Sequence, residues 1–201
     1  MELFGGAPIR SLLPFDGEAL YYGPVLSPHS ARSYFCKLLD SIAWRNDEVY
    51  IFGRHYVTKR EVAWYGDEAY SYAYSNSTKK ALTWTPELLK LKIIVEQLAE
   101  SQFNSCLLNL YHNGNEGMGW HSDDETCLGS NTTIASLSLG AERKFAFRHK
   151  STKHPVSVFL EHGSLLVMAG STQHNWAHAL PKSCKVSSPR INLTFRTILE
   201  S

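Results

Sequence analysis

From Phe103 onward the chain reads as short apolar-rich runs separated by polar turns, at 105–111, 133–139, 143–148, 156–160, 164–168 and 190–198. Two of these runs alternate. Arg190, Asn192, Thr194 and Arg196 interleave with Ile191, Leu193 and Phe195, and Asn109 and Tyr111 interleave with Leu108 and Leu110. A period of two marks a strand with one apolar and one polar face. An isolated strand of this kind would turn its polar face to solvent, whereas a small barrel or jelly roll can turn it into a cavity. Ahead of the strands, Ser27-Pro28 pairs an N-cap residue with proline at the first helical position, predicting a helix to about residue 42. Thr85-Pro86-Glu87 repeats that signature before an apolar-rich helix over 88–98. The class expected is α+β: a β-sandwich or jelly roll over 105–201, preceded by helices within 1–104, all in one domain spanning 1–201. The chain shows no internal repeat, low-complexity tract or linker.

Composition narrows this little. At 201 residues, 43% hydrophobic and 12% aromatic, the chain can bury a core of its own. No apolar run reaches the ~18 residues of a membrane span, so no membrane association is expected. The first residues lack a basic segment followed by an apolar core, which predicts an intracellular protein, cytoplasmic in a bacterium or nuclear in a eukaryote. Cys36, Cys106, Cys127 and Cys184 have neither metal nor redox spacing and read as free thiols. A net charge of +1 does not announce a polyanionic partner. Lys79-Lys80, Arg143-Lys144, and Arg148 to Lys150 with Lys153 are local basic clusters, readable as solvated surface or as phosphate contacts.

The sharper chemistry lies at His121 and Asp123. On a strand, residues two apart point to the same face. With His178 they make two imidazoles and one carboxylate, a ligand set that leaves open positions and suits non-haem Fe(II) better than structural zinc. Histidine-x-aspartate alone is a common accident. His174 competes as third ligand, since His174 and His178 stand four apart and would form a zinc pair on a helix. The arginine-flanked strand offers Arg190 and Arg196, and guanidinium binds carboxylate bidentately and stays charged when buried. About six residues of ideal strand separate those two by roughly 20 Å, so twist and long side chains must bring both to one small molecule.

Asn109-x-Tyr111, His121-x-Asp123, His178 and Arg190-x-Asn192-x-x-x-Arg196, in this order, resemble the AlkB family of Fe(II)/2-oxoglutarate-dependent dioxygenases. Ala63-Trp64-Tyr65-Gly66-Asp67 and Ser136-x-Ser138-x-Gly140 match further blocks, and the resemblance runs from about Phe15 to Leu199. It implies a double-stranded β-helix with helices packed outside it. It implies Fe(II) on His121, Asp123 and His178, and it favours His178 over His174 because His178-Ala-Leu-Pro occupies the family's position. It implies 2-oxoglutarate and dioxygen as cosubstrates. Arg190 would hold the distal carboxylate with Tyr111, and Arg196 would assist the carboxylate at the metal. Asn109 and Asn192 would be hydrogen-bonding neighbours. The implied reaction couples decarboxylation of 2-oxoglutarate to hydroxylation of an N-methyl group on bases such as 1-methyladenine or 3-methylcytosine, releasing formaldehyde.

The aromatic-rich segment from Val49 to Tyr74 bears on substrate. Its aromatics at 70, 72 and 74 could be sheet packing. By resemblance the segment is a nucleotide-recognition lid containing Trp64, Tyr72 and Tyr74, with Tyr74 stacking on a flipped base opposite His121. Glu125 is placed to meet an exocyclic amine or a cationic base. Ile51-Phe52-Gly53 resembles the hydrophobic finger of the duplex-DNA-repair branch, similar to AlkB homolog 2, with Phe52 as a wedge. The basic segment after Arg148 is shorter than in the vertebrate branch. The expected partner is alkylated DNA, duplex and single-stranded, acted on by a monomer. RNA, or a non-catalytic nucleic-acid-binding jelly roll, are the other readings.

Overall fold

The structure, a computed structural model, describes residues 10–51, 54–68, 70–74 and 77–199, without the side chains of 49–51 and 71–79. The chain begins with β1 (Glu18–Pro24), α1 (Pro28–Ser41), β2 (Arg45–Ile51) and the long β3 (Arg54–Gly66). A small hairpin follows, β4 (Ser71–Tyr74) and β5 (Ser77–Lys80), then β6 (Leu82–Thr83) and α2 (Pro86–Ala99). The remainder is β7 (Ser105–Tyr111), β8 (Met118–His121), a 3-10 turn (Thr126–Leu128), β9 (Ile134–Gly140) and β10 (Arg143–His149). It ends with β11 (Pro155–Leu160), β12 (Ser164–Ala169), the short α3 (Thr172–Asn175), β13 (Trp176–Leu180) and β14 (Arg190–Arg196).

Both helices start as their caps predict. The Ser27 side chain accepts from the Ser30 N–H and the Thr85 side chain from the Leu88 N–H, each with proline in the first turn, where its missing N–H goes unnoticed. Strand β14 stops at Arg196 rather than 198. The Ile198 N–H donates to Asn104 Oδ1 and the Thr197 hydroxyl to the Gln102 carbonyl, which takes the chain off the ladder.

Among the described residues, eight strands form one sheet, ordered β1-β12-β9-β14-β7-β3-β2 with β6 beside β3, and four form a second, ordered β11-β10-β13-β8. This is the antiparallel jelly-roll fold expected. The amino-terminal part contributes more than helices: β3 pairs with β7 and β1 with β12, so strands from both sides of residue 104 share the large sheet. Alternation sorts that sheet's two faces. Ile191, Leu193 and Phe195 join Cys106, Leu108 and Leu110 in a core against Leu38 of α1 and Leu88, Leu91 and Val95 of α2. Arg190, Asn192 and Thr194, with Asn109, Tyr111 and Ser136, line a cavity instead. Ile134, Phe147, Leu160, Leu166 and Trp176 make a second apolar cluster.

Candidate active site

Register brings the two imidazoles together. His178 on β13 lies opposite His121 at the end of β8, and their ring centroids are 4.3 Å apart. Asp123 does not share that strand. It lies in the turn beyond β8, so strand alternation is not what aims it. The turn is sewn down instead: the Ser122 hydroxyl donates to the Trp176 carbonyl, and the Asp123 N–H donates to Gln173 Oε1 at 2.9 Å.

Asp123 Oδ1 stands 3.7 Å from His121 Nε2 and 4.0 Å from His178 Nε2, too far for hydrogen bonds but close enough to share an ion. The three donor atoms fall within 4.8 Å of one another, the one such cluster among the described residues. His121 Nδ1 is 2.8 Å from the Gly119 carbonyl, which fixes the proton there and turns Nε2 toward the shared point. Burial pushes His178 down to about 3, so it is neutral, the form that binds metal. Its Nδ1 is buried with no hydrogen-bond partner among the described residues. For Asp123, burial alone would raise the carboxyl, but Arg196, His178 and His121 carry it below its usual range. Arg196 Nη2 donates to Asp123 Oδ2 at 2.6 Å. Two imidazole nitrogens and one carboxylate fit Fe(II). His174 is exposed on α3 and His178 lies on a strand, so the helical zinc pair is not formed.

Beneath this cluster, a narrow slot of about 70 Å³ runs between the sheets. At its inner end Arg190 is 2% exposed. Its Nη2 donates to Ser138 Oγ at 2.8 Å and to Asn192 Oδ1 at 2.7 Å, and its Nε has no hydrogen-bond partner among the described residues. Burial lowers it to about 10, still cationic at neutral pH. No acidic side chain pairs with it among the described residues. A buried cation hydrogen-bonded only to neutral groups among the described residues, with a second cation nearby, fits an anion such as the distal carboxylate of 2-oxoglutarate. Tyr111 is stacked between Arg190 and Arg143, at 5.7 and 5.9 Å from its ring centroid. Asn192 accepts from Ser136 and Arg190 and donates to Thr194. Asn109, opposite Asn192 across the ladder, accepts instead from Arg60.

On the other side a wider cavity of about 410 Å³ is lined by His121, Asp123, Arg196, Trp64 and Glu125. Trp64 is fixed by its indole N–H on Ser105 Oγ at 2.7 Å. Glu125, also on this wall, has its Oε2 buried with no hydrogen-bond partner among the described residues, an acceptor left free for a ligand. The sequence reading passed over Asp47 and Arg60, a buried ion pair on this wall that also holds Asn109 and Met118. A period-two signal was there to read, since Arg60, Val62 and Trp64 on β3 all line the cavity. Phe52 lies outside the described residues, and so do the side chains of Tyr72 and Tyr74, whose strand β4 pairs with β5. Arg143 is a correction to the basic clusters. It is buried, not superficial, and its guanidinium clamps the carbonyls of Asn113, Glu116 and Pro181.

Comparison with known proteins agrees with this geometry. Residues 18–196 match the family described as the 2OG-Fe(II) oxygenase superfamily. The chain is 33% identical to the DNA oxidative demethylase ALKBH2 of Arabidopsis thaliana, over 96% of its own length and 71% of the relative's. It is 46% identical to alpha-ketoglutarate-dependent dioxygenase alkB homolog 3 of Bos taurus and 43% to human ALKBH2, over 56% and 57% of its length. It spans less than half of those two relatives, 43% and 47%. The solved structure of OsALKBH1 superposes with a TM-score of 0.56 at 18% identity, covering 84% of this chain and 91% of that one, a likeness of fold. With its ligand cluster, its anion slot and these matches, the chain belongs to the 2OG-Fe(II) oxygenase superfamily and, within it, to the AlkB family.

Proposed function

We propose that this protein is an Fe(II)/2-oxoglutarate-dependent oxidative demethylase of N-alkylated bases in DNA. The observation that carries the reading is the placement of the His121–Asp123–His178 cluster. It sits between a narrow slot ending on the buried Arg190 guanidinium and a wider cavity of about 410 Å³, room for a flat base. His121, Asp123 and His178 would hold the metal, which supplies redox chemistry on dioxygen when bound. Arg190, with Tyr111 and Asn192, holds the distal end of 2-oxoglutarate. Arg196 fixes Asp123 and presents its unpartnered Nε to the same region. Asn109, bonded to Arg60, braces the wall between the two cavities.

On the substrate side, Glu125 offers a buried, desolvated acceptor that favours a base carrying an amino group or a positive charge, as 1-methyladenine and 3-methylcytosine do. Trp64 forms a flat wall, Tyr72 and Tyr74 supply stacking from the β4 hairpin, and Phe52 acts as a wedge in duplex DNA. Support for DNA comes from the similarity to the DNA oxidative demethylases ALKBH2, and support for the duplex from the sequence Ile51-Phe52-Gly53, which resembles the family's hydrophobic finger. The deciding experiment is a panel of single-stranded and duplex DNA and RNA oligonucleotides, each with one methylated base, scored for succinate and formaldehyde. Release of both from methylated DNA is expected. Turnover confined to RNA, or succinate without formaldehyde on every substrate, would overturn it. Phe52→Ala is expected to lower duplex activity at least roughly tenfold, about 1.4 kcal/mol, and single-strand activity much less.

A further inference from the structure

The outward face of the small sheet carries groups that the reaction above does not use. Phe145 and Phe147 of β10 and His178 of β13 pack together on the inner side. By alternation Lys144, Ala146, Arg148, Ala177 and Ala179 point outward. Trp120, one residue ahead of His121, shares that face. Its side chain is 45% exposed, and the Arg148 guanidinium lies over the indole 4.3 Å from its centroid. The alanines of β13, which stands between β8 and β10, leave Arg148 room to cross. Phe159, 57% exposed on β11, stands opposite Lys144.

Trp120 and Arg148 could merely shield Ala146 and Ala179, which are buried. Three observations ask for more. Half of the indole still meets solvent. Arg148 and Lys144 form no ion pair among the described residues, and Lys150 at the end of β10 meets a single acid, Asp124, at 3.5 Å. The face also ends at the edge of the sheet that borders the outer cavity, because β8 is the edge strand and the residues that follow Trp120, from His121 to Glu125, line that cavity. Exposed rings interleaved with unpaired cations are the pattern that tracks a single nucleic-acid strand, rings for bases and cations for phosphates. A guanidinium stacked on an indole keeps its N–H edge available for a phosphate.

We propose that this face is a platform for the strand leaving the outer cavity, with a base flanking the lesion stacked against Trp120 and the adjoining phosphates neutralised by Arg148 and Lys144. The proposal rests on the nucleic-acid reading above and adds where the strand runs.

The test compares two substrates with the same central 1-methyladenine, a single-stranded oligonucleotide of about 15 nucleotides and a trinucleotide, with Fe(II) and 2-oxoglutarate supplied. Trp120→Ala is expected to lower kcat/KM on the longer strand about tenfold and on the trinucleotide less than about twofold. Trp120→Phe, which keeps a ring, should recover most of the loss. Arg148→Gln should reduce the salt dependence of binding to the longer strand by about 0.7 in log–log slope, read by anisotropy with Mn(II) in place of Fe(II). Equal losses on both substrates would make Trp120 a prop for His121. No loss on either would make the face a bystander. In both cases the platform falls while demethylation by the unaltered protein stands. If the unaltered protein demethylates neither substrate and binds no strand, the nucleic-acid reading falls and takes the platform with it.

Discussion

Arg190 and Arg196 are the same side chain at the two ends of one strand, on one face, yet they live in opposite electrostatic settings. Arg196 has an acid of its own: burial would weaken it, but Asp123 beside it, with Glu125, raises it above its ordinary value. Among the described residues Arg190 meets Ser138, Asn192 and the Tyr111 face, and burial lowers it to about 10. A charge built into a low-dielectric interior is tolerated when a partner neutralises it. At the open end of the strand the partner belongs to the chain. At the buried end, on the proposed function, the distal carboxylate of 2-oxoglutarate would supply it. On that reading the contrast separates a group that would hold a metal ligand from one that would receive a cosubstrate, although sequence spacing treats them alike.

The largest expected effect lies at the open end. His178→Ala should abolish tight Fe(II) binding and lower succinate formation about a thousandfold or more, roughly 4 kcal/mol. His174→Ala, four residues away but exposed, should change neither. Anaerobic titration of Fe(II) with a single-turnover assay reads both. An inactive His174→Ala with an active His178→Ala would move the third ligand and dissolve the open end as described.

Replacing each arginine by methionine, similar in length but uncharged, tests the contrast itself. Arg196→Met leaves Asp123 buried without its partner and should destabilise the metal-free protein by about 3 kcal/mol. Added Fe(II) should recover part of that loss by neutralising the same carboxylate. Arg190→Met strands no acid and should shift metal-free stability by no more than about 1 kcal/mol, while removing the stabilisation that 2-oxoglutarate confers. Thermal melts with and without each ligand decide it. Equal destabilisation by the two substitutions would erase the distinction. A milder change, Arg190→Lys, keeps the charge but loses the planar fork, and should raise the KM for 2-oxoglutarate about tenfold with little change in kcat.

The alternation at Asn109–Tyr111 and Arg190–Arg196 was legible from sequence, because a period of two needs only local residues and the polar face turned out to line a cavity. Both helix caps were equally legible, being local hydrogen bonds. Strands β8 and β13 were not. They are short, carry no alternation, and exist because register sets His121 opposite His178 from more than fifty residues away. Asp123 was assigned to the site for a geometric reason that the turn does not obey. Its aim comes from Gln173, a contact no spacing rule contains. Arg143 was read as solvated surface or a phosphate contact, since charge is usually exposed, whereas three backbone carbonyls and the Tyr111 ring take it inside. The Asp47–Arg60 pair was missed for the same reason. Local pattern shows which face is polar. Only tertiary pairing shows what that face encloses.

The smallest expected effect sharpens the buried end through pH. Gly140 is the ladder partner of Arg190, and its N–H donates to His162 Nδ1 at 2.8 Å, which requires that nitrogen to be unprotonated. Burial lowers His162 below its ordinary value in the fold. Between that lowered value and about 6.5 the unfolded chain binds the extra proton and the folded chain does not. The contribution of His162 is therefore fully present above about pH 6.5 and is lost as pH falls through the folded value. His178 titrates in the same direction, down to about 3, so the wild-type curve alone cannot assign the loss. His162→Gln keeps an acceptor for the Gly140 N–H but does not titrate. Melts of the two proteins from about pH 7.5 to 5 should diverge, the wild type losing up to about 1 kcal/mol more, the scale of one hydrogen bond. The same series with saturating 2-oxoglutarate should show whether an anion on Arg190 stiffens this corner, in which case the divergence shrinks. Parallel curves at every pH would mean that His162 does not brace the buried end and that Arg190 is held by Ser138 and Asn192 alone.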